Sequence, residues 1–209
     1  MKVDLTAREV GLKIVYHGPP MSGKTTNLQA LRERLPVGNV GRLVTLETRD
    51  HRTLFLDVLP VVFRTATAFR VRLQLVTVPG QVLHEATRRV LLEGVDGVVF
   101  VADSQVRETT ANNAAFRELQ ETLADEVPLV IQFNKQDMPA VRSQSELDTL
   151  ARGRGVPVVA AVALRGVGVR ETLAHILGLV WRRMAPVHGL EALLGVDEHG
   201  FVERLVGRT

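Results

Sequence analysis

Gly18-Pro-Pro-Met-Ser-Gly23-Lys24-Thr25 is the stretch whose reading decides the fold. It fits G-x-x-x-x-G-K-[ST], the phosphate-binding loop. Glycines let backbone N–H groups curl around phosphate oxygens with no Cβ in the way. In such a loop the lysine, here Lys24, reaches the β- and γ-phosphates, and the hydroxyl of Thr25 is the Mg2+ ligand. The helix that follows points its positive end at the same anion. Taken alone, the same residues also fit a Gly-Pro turn leading into a helix. The flanks favour the phosphate loop: Leu12-Lys-Ile-Val-Tyr16 reads as a strand before it, and 25–34 as a helix after it.

Outward from the loop, the pattern alternates between strands and helices. Strands are expected at 12–17, 43–47, 69–78, 97–102, 129–133 and 156–161, with a further apolar stretch at 54–63. Helices are expected at 24–35, 82–92, 108–125, 145–152 and 169–185. Phe69, Val71, Leu73 and Leu75 alternate with Arg70, Arg72 and Gln74, the two-residue period of a half-buried strand. The run 97–102 is wholly apolar and suits a central parallel strand. Together these imply one α/β domain over 1–185, a mainly parallel sheet between helix layers. Residues 186–209, from Pro186 onward, form a C-terminal tail of undetermined order, in which Leu190, Leu193 and Leu194 fit one helical turn.

Composition narrows the class. Hydrophobic residues at 45% and charged residues at 23% belong to an ordinary globular chain. There is no cysteine, which excludes a disulfide framework and thiolate chemistry and suits the cytosol. The first residues lack an apolar core, and no apolar run is long enough to span a bilayer. Lipidation motifs are also missing, so neither a transmembrane segment nor a lipid anchor is expected. The net charge of +3 is spread along the chain, and aromatics are only 4%, which argues against a nucleic-acid surface. The histidines show no metal-ligand spacing. Of the 26 basic residues only four are lysine, and two of those, Lys24 and Lys135, fall inside motifs. An arginine-rich chain keeps lysine where a compact ammonium suits the site better than a planar guanidinium.

A second motif, Asn134-Lys135-Gln136-Asp137, follows the apolar run 129–133. A carboxylate there can accept from two adjacent donors. Guanine presents that pair and adenine does not, so Asp137 is expected to read guanine. Asn134 is expected to hold the surrounding loops, and the stem of Lys135 to lie over the base. A third motif, Thr77-Val-Pro-Gly80-Gln81, ends the strand 69–78. The N–H of Gly80 is placed to meet a γ-phosphate, and Gln81 to orient an attacking water. A Pro-Gly turn is the plainer explanation of this third motif by itself. His17 reads as a strand-end residue more readily than as a nucleotide contact.

In this order and spacing the motifs resemble the Ras superfamily of small GTPases, and within it the bacterial MglA group of gliding-motility and polarity proteins. The stretches that carry the resemblance are Gly23-Lys-Thr-Thr-Asn-Leu28, Arg52-Thr-Leu-Phe55, Thr77-Val-Pro-Gly-Gln81 and Gly94-Val-Asp-Gly-Val-Val-Phe-Val-Ala-Asp103. The resemblance implies a P-loop small-GTPase fold, a six-stranded, mostly parallel sheet with helices on both faces. It implies a switch that binds GTP, hydrolyses it to GDP and phosphate, and controls polarity or motility through nucleotide-dependent partners. Gly18, Ser22, Gly23, Lys24, Thr25, Thr26, Thr53, Gly80, Asn134, Lys135, Asp137 and Ala163 are the expected nucleotide contacts. Thr25 and Thr53 are the expected Mg2+ ligands. Lys24, Gln81 and Arg52 are the expected catalytic groups, with Arg52 supplying transition-state charge from the chain itself. The implied partners are a Roadblock-type, MglB-like activating protein and downstream effectors; the implied location is the cytoplasm with recruitment to the cell poles.

The largest departure from the superfamily is Thr77, where an aspartate usually helps hold Mg2+ through a water. On this reading the metal lacks an acidic helper. Val162-Ala163-Leu164 also keeps only the alanine of the superfamily's Ser-Ala-Lys loop. Two other readings remain open from the residues: a scaffold that holds GTP and barely hydrolyses it, and a P-loop ATPase or kinase. Gln81 and Arg52 argue against the first, and the Asn134 motif against the second.

Overall fold

A computed structural model describes residues 1–36, 38–48, 54–78 and 90–207. The strands are β1 (Lys2–Asp4), β2 (Glu9–His17), β3 (Val44–Thr48), β4 (Leu54–Arg64), β5 (Arg70–Thr77), β6 (Gly97–Asp103), β7 (Leu129–Asn134) and β8 (Val158–Ala160). They form one sheet in the order β3-β4-β5-β2-β6-β7-β8, with β1 alongside β2. Strands β5, β2, β6, β7 and β8 run parallel; β4 is antiparallel to β5, and β3 to β4. The helices are α1 (Lys24–Arg34), α2 (Thr109–Gln120), α3 (Gln144–Arg154), α4 (Val169–His188), α5 (Leu190–Leu194) and α6 (Glu198–Val206).

The α/β reading holds, with eight strands among the described residues rather than six. The additions are β1 and β4; the second reads in the sequence only as an apolar stretch, and antiparallel pairing with β5 makes it a strand. Lys2–Asp4 folds back antiparallel on Glu9–Gly11 after a turn in which the Asp4 carboxylate accepts from the Ala7 amide at 2.7 Å and Arg8 adopts φ 49°. Three residues carry too little period-two signal to be read as a strand. Val44–Thr48, expected at 43–47, pairs with β4 at one edge of the sheet.

Alternation along the strands builds two cores. Val10, Leu12, Ile14 and Tyr16 of β2 face one layer, with Leu28 and Leu31 of α1 and Leu173, Ile176 and Leu177 of α4. Val15, Val98, Phe100, Ile131 and Phe133 face the other, with Phe116 and Leu119 of α2 and Leu147 of α3. Phe69, Val71, Leu73 and Leu75 are buried while Arg72 and Gln74 are exposed, as their alternation predicts. Gly97 lets α4 lie close on β6; a Cβ there would come within 2.9 Å of Ile176 and Val180 side-chain carbons.

Several boundaries move. Most of the expected helix 82–92 lies outside the described residues. Helix α2 stops at Gln120 rather than 125, because Glu121, Asp125 and Glu126 put negative charge at the negative end of the dipole. Helix α4 runs past Pro186 to His188; a proline in the last turn forgoes one backbone bond without ending the helix. Beyond it, through residue 207, the chain folds into α5 and α6. Leu190, Leu194, Phe201 and Leu205 of α5 and α6 are buried in the same core as α1 and α4. Phe201 packs against Trp181 (centroids 4.8 Å) and edge-on to Phe63 of β4 (6.2 Å).

Candidate nucleotide site

Parallel strands put their C-terminal ends on one side of the sheet, the side where open α/β folds bind ligands. The phosphate loop follows β2 and the Asn134 motif ends β7, with β6 between them. Gly18 (φ 145°) lies so close to β6 that a Cβ would come within 2.1 Å of the Val101 carbonyl oxygen. At Gly23 (φ 100°) a Cβ would come within 2.2 Å of Asn134 Nδ2. Both glycines are therefore required by backbone sign and by contact.

Asn134 ties the loops together. Its Nδ2 donates to the Ser22 carbonyl at 2.9 Å, and its Oδ1 accepts from the Ala163 amide at 2.8 Å. Lys135 sits in the left-handed region at φ 67°, and its ammonium bonds Asp103 Oδ2 at 2.6 Å. Asp137 forms an ion pair with Arg165 at 3.7 Å. Asp103 and Arg165 carried no motif signal that marked these roles.

The ammonium of Lys24 is buried and donates to the carbonyls of Gly18 (2.9 Å) and Pro19 (2.7 Å). Burial pushes its pKa down to about 8. Ser22 is buried with its hydroxyl unpartnered among the described residues. Thr26 lies next on α1. His17 is buried and stacks on Phe100 (centroids 6.1 Å), which fits a strand-end residue. Arg52, Thr53, Gly80 and Gln81 lie outside the described residues.

A buried acid stands beside Thr25, one of the expected metal ligands. Asp57 of β4, 8% exposed, gathers three threonine hydroxyls. Thr25 Oγ1 donates to Asp57 Oδ2 at 2.6 Å, Thr77 Oγ1 to the same oxygen at 3.2 Å, and Thr45 Oγ1 to Oδ1 at 2.8 Å. The Asp57 amide donates back to Thr77 Oγ1 at 2.9 Å. Register makes this cluster: Thr45 pairs with Asp57 across β3–β4, and β4–β5 pairing brings Thr77 beside it. A threonine that gives its proton to a carboxylate keeps its oxygen lone pairs for a cation, so this donor set fits Mg2+. The missed signal was a lone acid inside the apolar run 54–63, because a buried carboxylate demands partners.

Comparisons with known proteins agree with this geometry. The model of the ADP-ribosylation factor family matches residues 2–179. The chain belongs to that family. It is also 42% identical over 184 residues to the mutual gliding-motility protein MglA of Myxococcus xanthus (strain DK1622), covering 85% of this chain and 94% of that protein. It is 27% identical over 176 residues to ADP-ribosylation factor-like protein 1 of Saccharomyces cerevisiae (strain ATCC 204508 / S288c), covering 81% of this chain and 87% of the relative. The protein is a Ras-superfamily small GTPase of the MglA type, a GTP-binding switch, and its family generally uses Mg2+ with the nucleotide. Among the described residues no helix is long and apolar enough to cross a membrane.

Proposed function

We propose that this small GTPase is a GTP-hydrolysing switch whose nucleotide state governs partner binding in cell polarity or surface motility. The observation that supports it best is the Asn134 side chain joining Ser22 of the phosphate loop to Ala163, so that phosphate and base recognition form one unit. The likeness to a relative named for gliding motility supports the cellular role.

In this mechanism Lys24 and the loop amides neutralise charge on the β- and γ-phosphates, and Asp137 reads guanine once Arg165 yields to the base. Thr25 and Thr53 would hold Mg2+, with the Asp57 carboxylate taking the place of the aspartate that Thr77 replaces. When bound, Mg2+ neutralises charge on the β- and γ-oxygens. Gln81 orients the attacking water and Arg52 stabilises the charge that develops in the transition state. Unassisted turnover is slow, as in small GTPases generally. A Roadblock-type, MglB-like activator speeds it, in the cytoplasm and at the cell poles.

Two measurements test this. Labelled GDP should be displaced by GTP and not by ATP; equal displacement by ATP would sink the guanine assignment. Single-turnover phosphate release should be slow alone and faster with a Roadblock-type activator. No release in either condition would instead identify a GTP-holding scaffold.

A further inference from the structure

A buried amide pair lies directly behind the phosphate loop. Gln132 of β7 and Asn27 of α1 are both fully buried. Gln132 Oε1 accepts from Asn27 Nδ2 at 2.8 Å, and Gln132 Nε2 donates to Asn27 Oδ1 at 2.9 Å. The second donor of Gln132 meets Thr172 Oγ1 of α4 at 2.9 Å. The second donor of Asn27 meets the Gly23 carbonyl at 2.9 Å, which the Asn27 backbone N–H also reaches at 3.0 Å.

Strand periodicity gives this pair its meaning. Gln132 and Asn134 are two residues apart on β7 and point to the same side. Asn134 holds the Ser22 carbonyl, and Gln132 holds the Gly23 carbonyl through Asn27. In a trans peptide the C=O and the following N–H point in opposite directions. Drawing the Ser22 and Gly23 oxygens toward β7 therefore turns the N–H groups of Gly23 and Lys24 the other way, toward the anion. Two apolar side chains would tie α1 to the sheet with less desolvation cost, but they would leave the Gly23 carbonyl without its side-chain donor.

We infer that Asn27 and Gln132 are positioning residues, a strut that aims the phosphate-loop amides and couples them to the strand that ends in the base-reading motif. The inference rests on the guanine-nucleotide reading of the site. Neither residue touches the nucleotide.

The test uses the full chain, release of fluorescently labelled GDP and thermal melting. Gln132→Leu or Asn27→Leu strands one buried amide and lowers the melting temperature. The double variant Asn27→Leu/Gln132→Leu removes both partners and recovers most of that loss, since paired apolar replacement is nearly neutral. The recovered double variant should still release GDP about tenfold faster than wild type, the scale of one or two lost hydrogen bonds. Release at the wild-type rate would make the pair merely structural and overturn the inference. If the double variant fails to fold, Gln132→Met, which conserves volume and cuts the strut, is held to the same rate comparison. Failure of the wild-type chain to bind labelled GDP overturns both the inference and the reading beneath it.

Discussion

Thr25, Thr77 and Thr45 share one carboxylate, and that sharing changes what the Thr77 departure means. A buried acid stands on β4, bonded to Thr25 and to the Thr77 that ends β5. Asp57→Asn keeps the shape and removes the charge. It should raise the Mg2+ concentration needed to slow GDP release by about tenfold, on the scale of a charge-assisted contact. Titrating Mg2+ against the release rate checks this, and an unchanged midpoint would remove Asp57 from the metal site. Lys24 gives a second residue-scale prediction. In the free chain burial holds its pKa at about 8. A bound phosphate favours the charged form, so the bound pKa lies above the free one. Affinity is then full below about pH 8 and falls, by up to about tenfold per pH unit, as pH rises past it. Measuring GDP affinity between pH 7 and 9 tests this; a flat profile contradicts it.

Helix α3 shows how much an element owes to its first turn. Ser143 Oγ accepts from the Glu146 amide at 3.3 Å, and Glu146 Oε2 accepts from the Ser143 amide at 2.7 Å, a reciprocal capping box. The signal stands in the sequence as Ser143-Gln-Ser-Glu146, and it starts the helix at Gln144, one residue before the expected 145. Bonds from the Ser143 amide and hydroxyl hold the Glu146 carboxyl below the usual carboxylate range. Buried α3 contact is confined to Leu147, so the cap matters. Ser143→Ala should cost about 1 kcal/mol of stability by urea unfolding. A loss of only a few tenths would mean that water replaces the cap.

Across the whole molecule, the C-terminal segment closes the side of the sheet that carries β4. Asn39 Nδ2 donates to the Arg204 carbonyl at 2.9 Å, and Thr67 Oγ1 to the Leu193 carbonyl at 2.8 Å. With Phe201 between Trp181 and Phe63, helix α6 is part of the main core and braces the strand that carries Asp57. Phe201→Ala should destabilise the chain by roughly 3–5 kcal/mol in chemical unfolding, as for other buried aromatics. A cost below about 1 kcal/mol would mean that α6 contributes little to the core. Of the tail, the turn expected at Leu190, Leu193 and Leu194 is α5, while α6 was not legible because it is short. Gly189 and Gly195, both in the left-handed region, end α4 and α5, and the apolar residues of the tail acquire partners only when α4 and β4 are in place.

The chain's local chemistry sufficed for the phosphate loop, the base motif and the alternating elements. Gly18 and Gly23 are needed for backbone sign, and Phe69 to Leu75 declare a strand by their own period. Such features depend on neighbours a few residues away, so they can be read in order along the chain. The acid at the metal site and the strut behind the loop depend on pairs far apart: Thr25 with Asp57 across 32 residues, and Asn27 with Gln132 across 105. Those pairs exist because strand register and helix packing bring buried polar groups together. Burial then makes them choose partners, since an unpaired amide or carboxylate in the core costs more than any local preference supplies.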